Sequence, residues 1–258
     1  MSRIYELRLM ARVAQLYHEN NLKQAEISKQ LHLSQATVSR LLSRAVDEGI
    51  VRITINAPRG TYPQLEDQLR DRYGLAEAVV AECYEDHEEA ILPAIGNAAA
   101  YYFESTVSPD EVIGISCWSS ALLHMVDAVH PVKRLKAEKV IQIVGGIGTL
   151  EPSYMLHNSG NTFAADELAD LRERGVVGDI CMRFFDANGR IIDSPFDERV
   201  IGITLPELKA VPHVIGVAGS ARKTATIHAA LIGGWVDTLV TDKFTAERLL
   251  SLPHPPNT

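Results

Sequence analysis

Cysteine is scarce and unpatterned in this chain. Cys83, Cys117 and Cys181 are the only three in 258 residues, far apart and without a C-x-x-C pair. An odd, sparse set argues against a disulfide framework and against a zinc site, and fits buried thiols in a reducing cytoplasm. Also missing is any apolar run long enough to span a membrane. The N-terminal stretch MSRIYELRLMARV carries charges throughout, so neither a signal peptide nor a membrane anchor is expected. No P-loop, nucleophile elbow or convincing nucleophile–base pair is present. His124, His130, His157, His213 and His228 fall on predicted helices, beside prolines or at strand starts. These absences weigh against an enzyme, and no cofactor or metal is expected. Net positive charge is lacking too: the formal charge is -8, which alone argues against nucleic acid.

The charge is unevenly placed. Residues 1–57 hold eight Lys and Arg against five acids, a net of +3, and the remainder holds 17 against 28, a net of -11. A small basic head on a large acidic body is the pattern of a protein in which only the head meets phosphate. With 46% hydrophobic and 22% charged residues, the chain suits a globular protein of one to three domains with a real core.

The head, residues 1–57, reads as three helices and a strand. In RIYELRLMARVAQLYHENN, Ile4, Leu7, Met10 or Ala11, Ala14 and Tyr17 or Leu16 recur at helical spacing, and Asn20-Asn21 stops the helix. LKQAEISKQL predicts a second helix with Leu22, Ala25, Ile27 and Leu31 inward. Ser34 is a good N-cap for a third helix, in which Val38, Leu41, Leu42 and Ala45 form one apolar stripe. The opposite side carries Ala36, Ser39, Arg40 and Ser43, flanked by Thr37 and Arg44. Gly49 ends the helix and IVRITI alternates like a strand, which completes a winged helix-turn-helix. A helix of this kind fits the major groove of double-stranded DNA. The candidate DNA-binding residues are Lys23, Ser34, Gln35, Ala36, Thr37, Ser39, Arg40 and Arg44. Gln35 suits adenine, Arg40 suits guanine or a phosphate, small residues at 36 and 39 let the backbone approach, and Arg44 and Lys23 suit phosphates. Two positions are unusual for the motif, Ser28 and the turn residue His32. Histidine tolerates left-handed backbone better than most residues, so the turn is expected to survive.

Residues 58–258 form the second predicted domain. PRGTYPQLEDQLRDRYGL predicts a linker helix with Leu65, Leu69 and Tyr73 (or Arg72) on one side, and two turns of stripe are weak support for a coiled coil. Helices and near-continuous apolar strands then alternate: EAVVAEC, DEVIGIS, EKVIQIVGG, PHVIGVAG and VDTLVTD are strands, and GDICMRFFDANGRIID is a hairpin around Asn188-Gly189. The class is α/β, doubly wound around a mainly parallel sheet. In such sheets ligands bind beyond the carboxyl ends of the strands. The loops there offer Ser116, Ser119 and Ser120, Gly145 and Gly146, Gly219 and Lys223, and Thr241 and Asp242. Together they are compatible with a phosphorylated, hydroxyl-rich small molecule, although Gly and Ser after a strand are commonly just turn residues. Asp179 reads equally as an acceptor for sugar hydroxyls or as an ordinary solvated carboxylate.

QAEISKQLHLSQATVSRLLSRAVDEGIV, followed in order by VIGISCWSSALLHMVDAV, IQIVGGIG, GVVGDICMRFFDANGRIID and VIGVAGSARKTATIHAALIGGWVDTLVTDKFTAERLL, resembles the SorC family of bacterial sugar-responsive transcription regulators over almost the whole chain. The head motif is shared with many regulators, whereas the order of body motifs is distinctive. The resemblance implies a DNA-binding domain fused to a sugar-phosphate-sensing domain similar to sugar isomerases and deaminases. It implies homodimers or homotetramers on near-palindromic operators, released or engaged by a phosphorylated sugar. By motif, Ser119 and Ser120 in SCWSSA match the family's phosphate-binding loop, Asp179 an acidic sugar contact and Lys223 a phosphate-side lysine. One departure is large. Members of the family place a long stretch between the VGGIG strand end and a segment resembling VGIGTLEPS, and here the two run together at Gly146-Ile147-Gly148, which reads as an internal deletion near residues 146–150 or a defective gene model. The missing part amounts to about two strand–helix units, ~60 residues, and its loss would leave a sheet edge open. The competing readings are a sugar-phosphate isomerase or deaminase with an appended helical domain, and a nucleic-acid-binding module with an inert body.

Overall fold

The computed structural model describes residues 3–51, 60–107, 112–117, 119–130, 140–150 and 164–253. Contacts divide the chain into two compact units, Met1–Asn56 and Ala57–Thr258.

The first unit contains α1 (Arg3–His18), α2 (Gln24–Leu31) and α3 (Gln35–Asp47). The stripe of α3 is buried at all four expected positions, Val38, Leu41, Leu42 and Ala45. They meet Ile27 of α2 and Met10, Val13, Ala14 and Leu16 of α1 in one cluster. The reading of α1 needs correction. Ile4 is 65% exposed and Ala11 is exposed, while Val13 is fully buried. Ile4 lies about 120° around the helix from Met10, so the row centred on residues 10, 13 and 14 turns it outward. Leu16, rather than Tyr17, is covered where the chain reverses through Asn21, whose φ is +54°. Ala25 of α2 is likewise exposed. The strand expected over IVRITI lies outside the described residues from Arg52 onward, and Val51 packs partly against the cluster.

The second unit is a seven-stranded sheet: β1 (Glu77–Ala81), β2 (Val112–Ile115), β3 (Val140–Thr149), β4 (Val176–Ile180), β5 (Arg183–Asp186), β6 (His213–Val217) and β7 (Thr238–Asp242). The order is β1-β7-β6-β3-β4-β5, with β2 pairing β3. Pairings β1–β7, β7–β6, β6–β3 and β3–β2 are parallel, and β3–β4 and β4–β5 are antiparallel. The strands are apolar on both faces because neighbouring residues feed opposite layers. Ile143, Val214 and Leu239 enter one cluster, and Val144, Ile215 and Val240 enter the other. α5 (Glu88–Thr106) and α6 (Ser120–Ala128) cover the second face. The first face is covered by α4 (Pro63–Tyr73), α8 (Leu205–Lys209), α9 (Thr224–Ile232) and α10 (Lys243–Ser251). α7 (Ala165–Glu173) joins a smaller cluster of Leu171, Val176, Phe184 and Phe196 beneath the hairpin.

The linker helix α4 is part of this core. Leu69 is fully buried, Leu65 and Tyr73 pack beside it, and Arg72 donates to the carbonyls of Leu250 (2.9 Å), Leu252 and Pro253 (2.6 Å). Its apolar side is therefore turned to the body. β3 runs unbroken through Gly146-Ile147-Gly148: residues 142–146 pair with β6, and residues 147–149 pair with β4. Among the described residues β2 pairs with β3 alone, so it forms a sheet edge, and Ile115 at its end is 48% exposed. The β4–β5 hairpin, which the sequence reading did not separate out, turns at Cys181-Met182, with φ of +53° and +62°. The Asn188-Gly189 turn follows β5 and closes a single bridge between Phe185 and Ile191.

Candidate functional site

The polar side of α3 is laid out by its cap. Ser34 accepts a hydrogen bond from the Thr37 N–H at 3.1 Å, and the two hydroxyls lie 2.7 Å apart. Both are thus engaged in starting the helix. Ala36, Ser39 and Arg40 are exposed on the side away from the buried stripe, and Gln35 is exposed at the first position of the helix. The turn before α3 is made by His32 in the left-handed region, at φ +53° and ψ +40°. Ser28 donates to the Leu33 carbonyl at 2.6 Å, so its hydroxyl bridges the turn. The two expected phosphate contacts, Arg44 and Lys23, both keep side-chain surface open to solvent. Arg44 pairs with Glu6 of α1, and this pairing lifts its pKa and lowers that of Glu6. It fastens α3 to α1 rather than standing free. Lys23 occupies the N-cap of α2, where its backbone N–H donates to Glu26 at 2.7 Å.

In the second unit, a cavity of about 820 Å³ opens beyond the strand ends. Ser116, Ser119, Ser120, Gly146, Asp179 and Lys223 all line it. The loop after β2 supplies the serines. Ser116 accepts from the Gly146 N–H at 3.1 Å, and Ser119 caps α6 by accepting from Leu122 at 3.4 Å. A helix start of this kind favours anions, since its first N–H groups lack helical partners. Gly146 has to be small, because an added Cβ would stand 2.5 Å from the Ser119 hydroxyl.

Asp179 is carried to the cavity by β4, opposite Gly148. Burial pushes its carboxyl up to about 6, against the opposing pull of the Met182 N–H (3.0 Å) and of Lys223. The left-handed residues Cys181 and Met182 aim that N–H at the carboxylate, so the strained turn serves the site. Lys223 donates to the Ile147 carbonyl at 2.8 Å. Burial lowers its pKa, with Arg222 adding to the effect, while Asp179 and Glu88 oppose it. Arg222 is bound to Glu88 at 2.7 Å. The cavity thus sets one cationic rim against one acid that holds its proton unusually well, amid hydroxyls and small residues.

Four residues expected at the site are not among those lining it: Gly145, Gly219, Thr241 and Asp242. Thr241 and Asp242 are fully buried. Asp242 caps α10 through the Thr245 N–H (2.9 Å) and accepts from Ser220 N–H (3.2 Å), and Gly219 leaves room for its carboxylate. They hold up the loop from beneath. The sequence reading also passed over Glu88, Arg222 and the wall Arg199–Ile203, all of which line the cavity. Arg222 beside Lys223 was visible as a basic pair after a strand, whereas the wall has no helical or strand period to announce it.

Both units match known families. The family described as "Putative sugar-binding domain" matches residues 60–164 and again 146–251, and a family described as winged helix-turn-helix DNA-binding matches residues 13–52. The sorbitol operon regulator of Klebsiella pneumoniae is 29% identical, covering 95% of this chain and 98% of its own. The deoxyribonucleoside regulator of Bacillus subtilis is 28% identical, covering 94% and 97%. The crystal structure of the full-length sorbitol operon regulator SorC from Klebsiella pneumoniae superposes with a TM-score of 0.67 at 27% identity, over 95% of this chain and 99% of that one. The alignment to the sorbitol regulator is 310 positions long, so at least 52 of its positions have no residue in this 258-residue chain. The two sugar-binding matches share residues 146–164, which sets the break in the family's frame at the β3 junction. With a helix-turn-helix head, a sugar-binding body and regulators as its relatives along almost its whole length, the chain belongs to the SorC family of transcriptional regulators.

Proposed function

We propose that this regulator works in the cytoplasm, grips a near-palindromic operator through the α3 faces of two or four copies, and is switched by a phosphorylated sugar in the strand-end cavity. The observation that carries the reading is the convergence of Ser116, Ser119, Ser120, Gly146, Asp179 and Lys223 on one cavity. In this reading the phosphate lies between the start of α6 and Lys223, and the sugar hydroxyls meet Asp179. On the head, Gln35 and Arg40 face base edges, Ala36 and Ser39 allow close approach, and Ser34 and Thr37 present the helix start to the backbone. The ligand acts by favouring one arrangement of the copies over another, and so changes the spacing of two heads. Two-fold symmetry in the protein is matched by two half-sites in the DNA.

The test is a thermal-shift screen of sugar phosphates against the intact chain, with the unphosphorylated sugars alongside. A sugar phosphate should raise the melting temperature where its parent sugar does not, and Lys223→Ala should abolish the difference. Equal responses to the sugar and its phosphate would remove phosphate from the account.

A further inference from the structure

One wall of the cavity is held mainly by one buried side chain, with Arg199 at its start also paired to Glu167 of α7 at 2.6 Å. Between the 3-10 turn Pro195–Glu198 and α8, residues Arg199–Ile203 run without regular structure and line the cavity. Each flank is fixed by its own cap: Ser194 and Asp197 bond reciprocally at one end, and Thr204 and Glu207 at the other. Between the flanks the carbonyls point to Arg183 on β5. Its guanidinium donates to the carbonyls of Asp197 (3.1 Å), Val200 (3.1 Å), Gly202 (3.3 Å) and Ile203 (3.2 Å), and to the Asp197 carboxylate at 2.8 Å. Arg183 is 7% exposed, and all five of these contacts go to one segment. Arginine suits this task because its planar fork presents five donors in fixed directions, which a lysine cannot reproduce. The segment in turn carries Ile201, whose side chain stands wholly exposed. Burying an apolar group of that size on a bound ligand is favourable, and nothing in the fold of the unit requires it to be isoleucine.

We propose that Arg183 is a positioning residue for the effector cavity, and that the strap it holds, Arg199–Ile203, sets which sugar phosphate is accepted by contacting the end of the ligand remote from the phosphate. The proposal rests on the sensor reading above for its ligand, but not for the strap itself. The strap faces the same space as Ser119 and Lys223 but belongs to a different part of the chain, so selection among sugars is separable from capture of phosphate.

The experiment uses the intact chain with Arg183→Lys and Ile201→Ala. Amide exchange without ligand reads the strap directly. The Arg199 and Val200 N–H groups bond to the Phe196 carbonyl at 2.9 and 3.0 Å, and their exchange should quicken about tenfold or more in Arg183→Lys, as expected on losing one or more charge-assisted hydrogen bonds. Unchanged exchange there, or quickening spread equally through β6 and β7, overturns the positioning role. Titrations with four-, five- and six-carbon sugar phosphates, and with inorganic phosphate, read the specificity. Ile201→Ala should keep the melting temperature and the inorganic phosphate response and reorder the preference among the sugar phosphates. An identical preference order overturns the specificity role. If the wild-type chain answers to no sugar phosphate, the sensor reading fails along with the specificity role, and the exchange result still decides what Arg183 does.

Discussion

Replacing Asp179 with asparagine tests whether the cavity is built at the expense of stability. The native carboxyl holds its proton up to about pH 6, whereas the unfolded chain releases it near 3.8. Between those values the native state binds more protons than the unfolded one, so stability falls as pH rises through the window, and the loss is complete above it. At 1.36 kcal/mol per tenfold change in proton affinity, the loss at neutral pH is about 3 kcal/mol, with the opposing pulls of Met182 and Lys223 already included. Asparagine has no charge to desolvate, and its carbonyl can still accept the Met182 N–H. Asp179→Asn should therefore be more stable than wild type by up to about 3 kcal/mol at pH 7.5, or roughly 6 to 12 °C in Tm for a unit of this size, and the two should converge by about pH 4. Urea melts of both proteins at half-unit steps from pH 4 to 8 measure this. A constant gap across the range, or a wild type that is the more stable at pH 7.5, refutes the reasoning. If the Asp179 carboxylate meets the sugar hydroxyls as proposed, the same variant should also lose response to a sugar ligand.

Arg40→Ala should weaken operator binding by about 1–3 kcal/mol and relax base preference if Arg40 forks onto a base; an equal loss on all sequences, in gel shifts against a randomised site, makes it a phosphate contact only. Gly146→Ala drives a methyl into Ser119 and should destabilise the body by about 1–3 kcal/mol through overpacking, with loss of the α6 cap adding to it, read in urea melts alongside Gly145→Ala. Leu69→Ala, at a site sealed between α4 and the sheet, should cost about 2–5 kcal/mol, whereas a shift below 1 kcal/mol would mean that α4 is only loosely held.

The parts of this protein legible in sequence are those where one period dominates. Val38, Leu41, Leu42 and Ala45 are separated by polar residues at every intervening position (Ser39, Arg40, Ser43 and Arg44), so the face of α3 is unambiguous. In α1 apolar residues also occupy neighbouring rows, and periodicity alone could not choose between Met10 and Ala11 or exclude Ile4. The buried strands were legible from their unbroken apolar runs, though the merging of β3 with the following segment was readable only against a family pattern. The Asn188-Gly189 turn announces itself through its glycine, whereas the β4–β5 turn at Cys181-Met182 puts two non-glycine residues in the left-handed region and gives no such signal. At the site, sequence could gather the strand-end loops but not say which side chains rise into the cavity. Thr241 and Asp242 sit at such a strand end and are drawn inward because Asp242 caps α10 and receives Ser220. Arg183 looked like a polar residue of an ordinary strand, and only the fold shows four carbonyls from a distant segment converging on it.

The central claim is that the basic head grips duplex DNA and the body governs that grip. Its most direct test is fluorescence anisotropy of a labelled operator duplex, selected by the intact chain from random sequence, titrated with the protein in the presence and absence of a sugar phosphate that stabilises the body. The account predicts salt-sensitive binding that the ligand shifts by about fivefold or more, and no shift in the Lys223→Ala protein. Tight operator binding indifferent to a ligand that demonstrably occupies the cavity would contradict it.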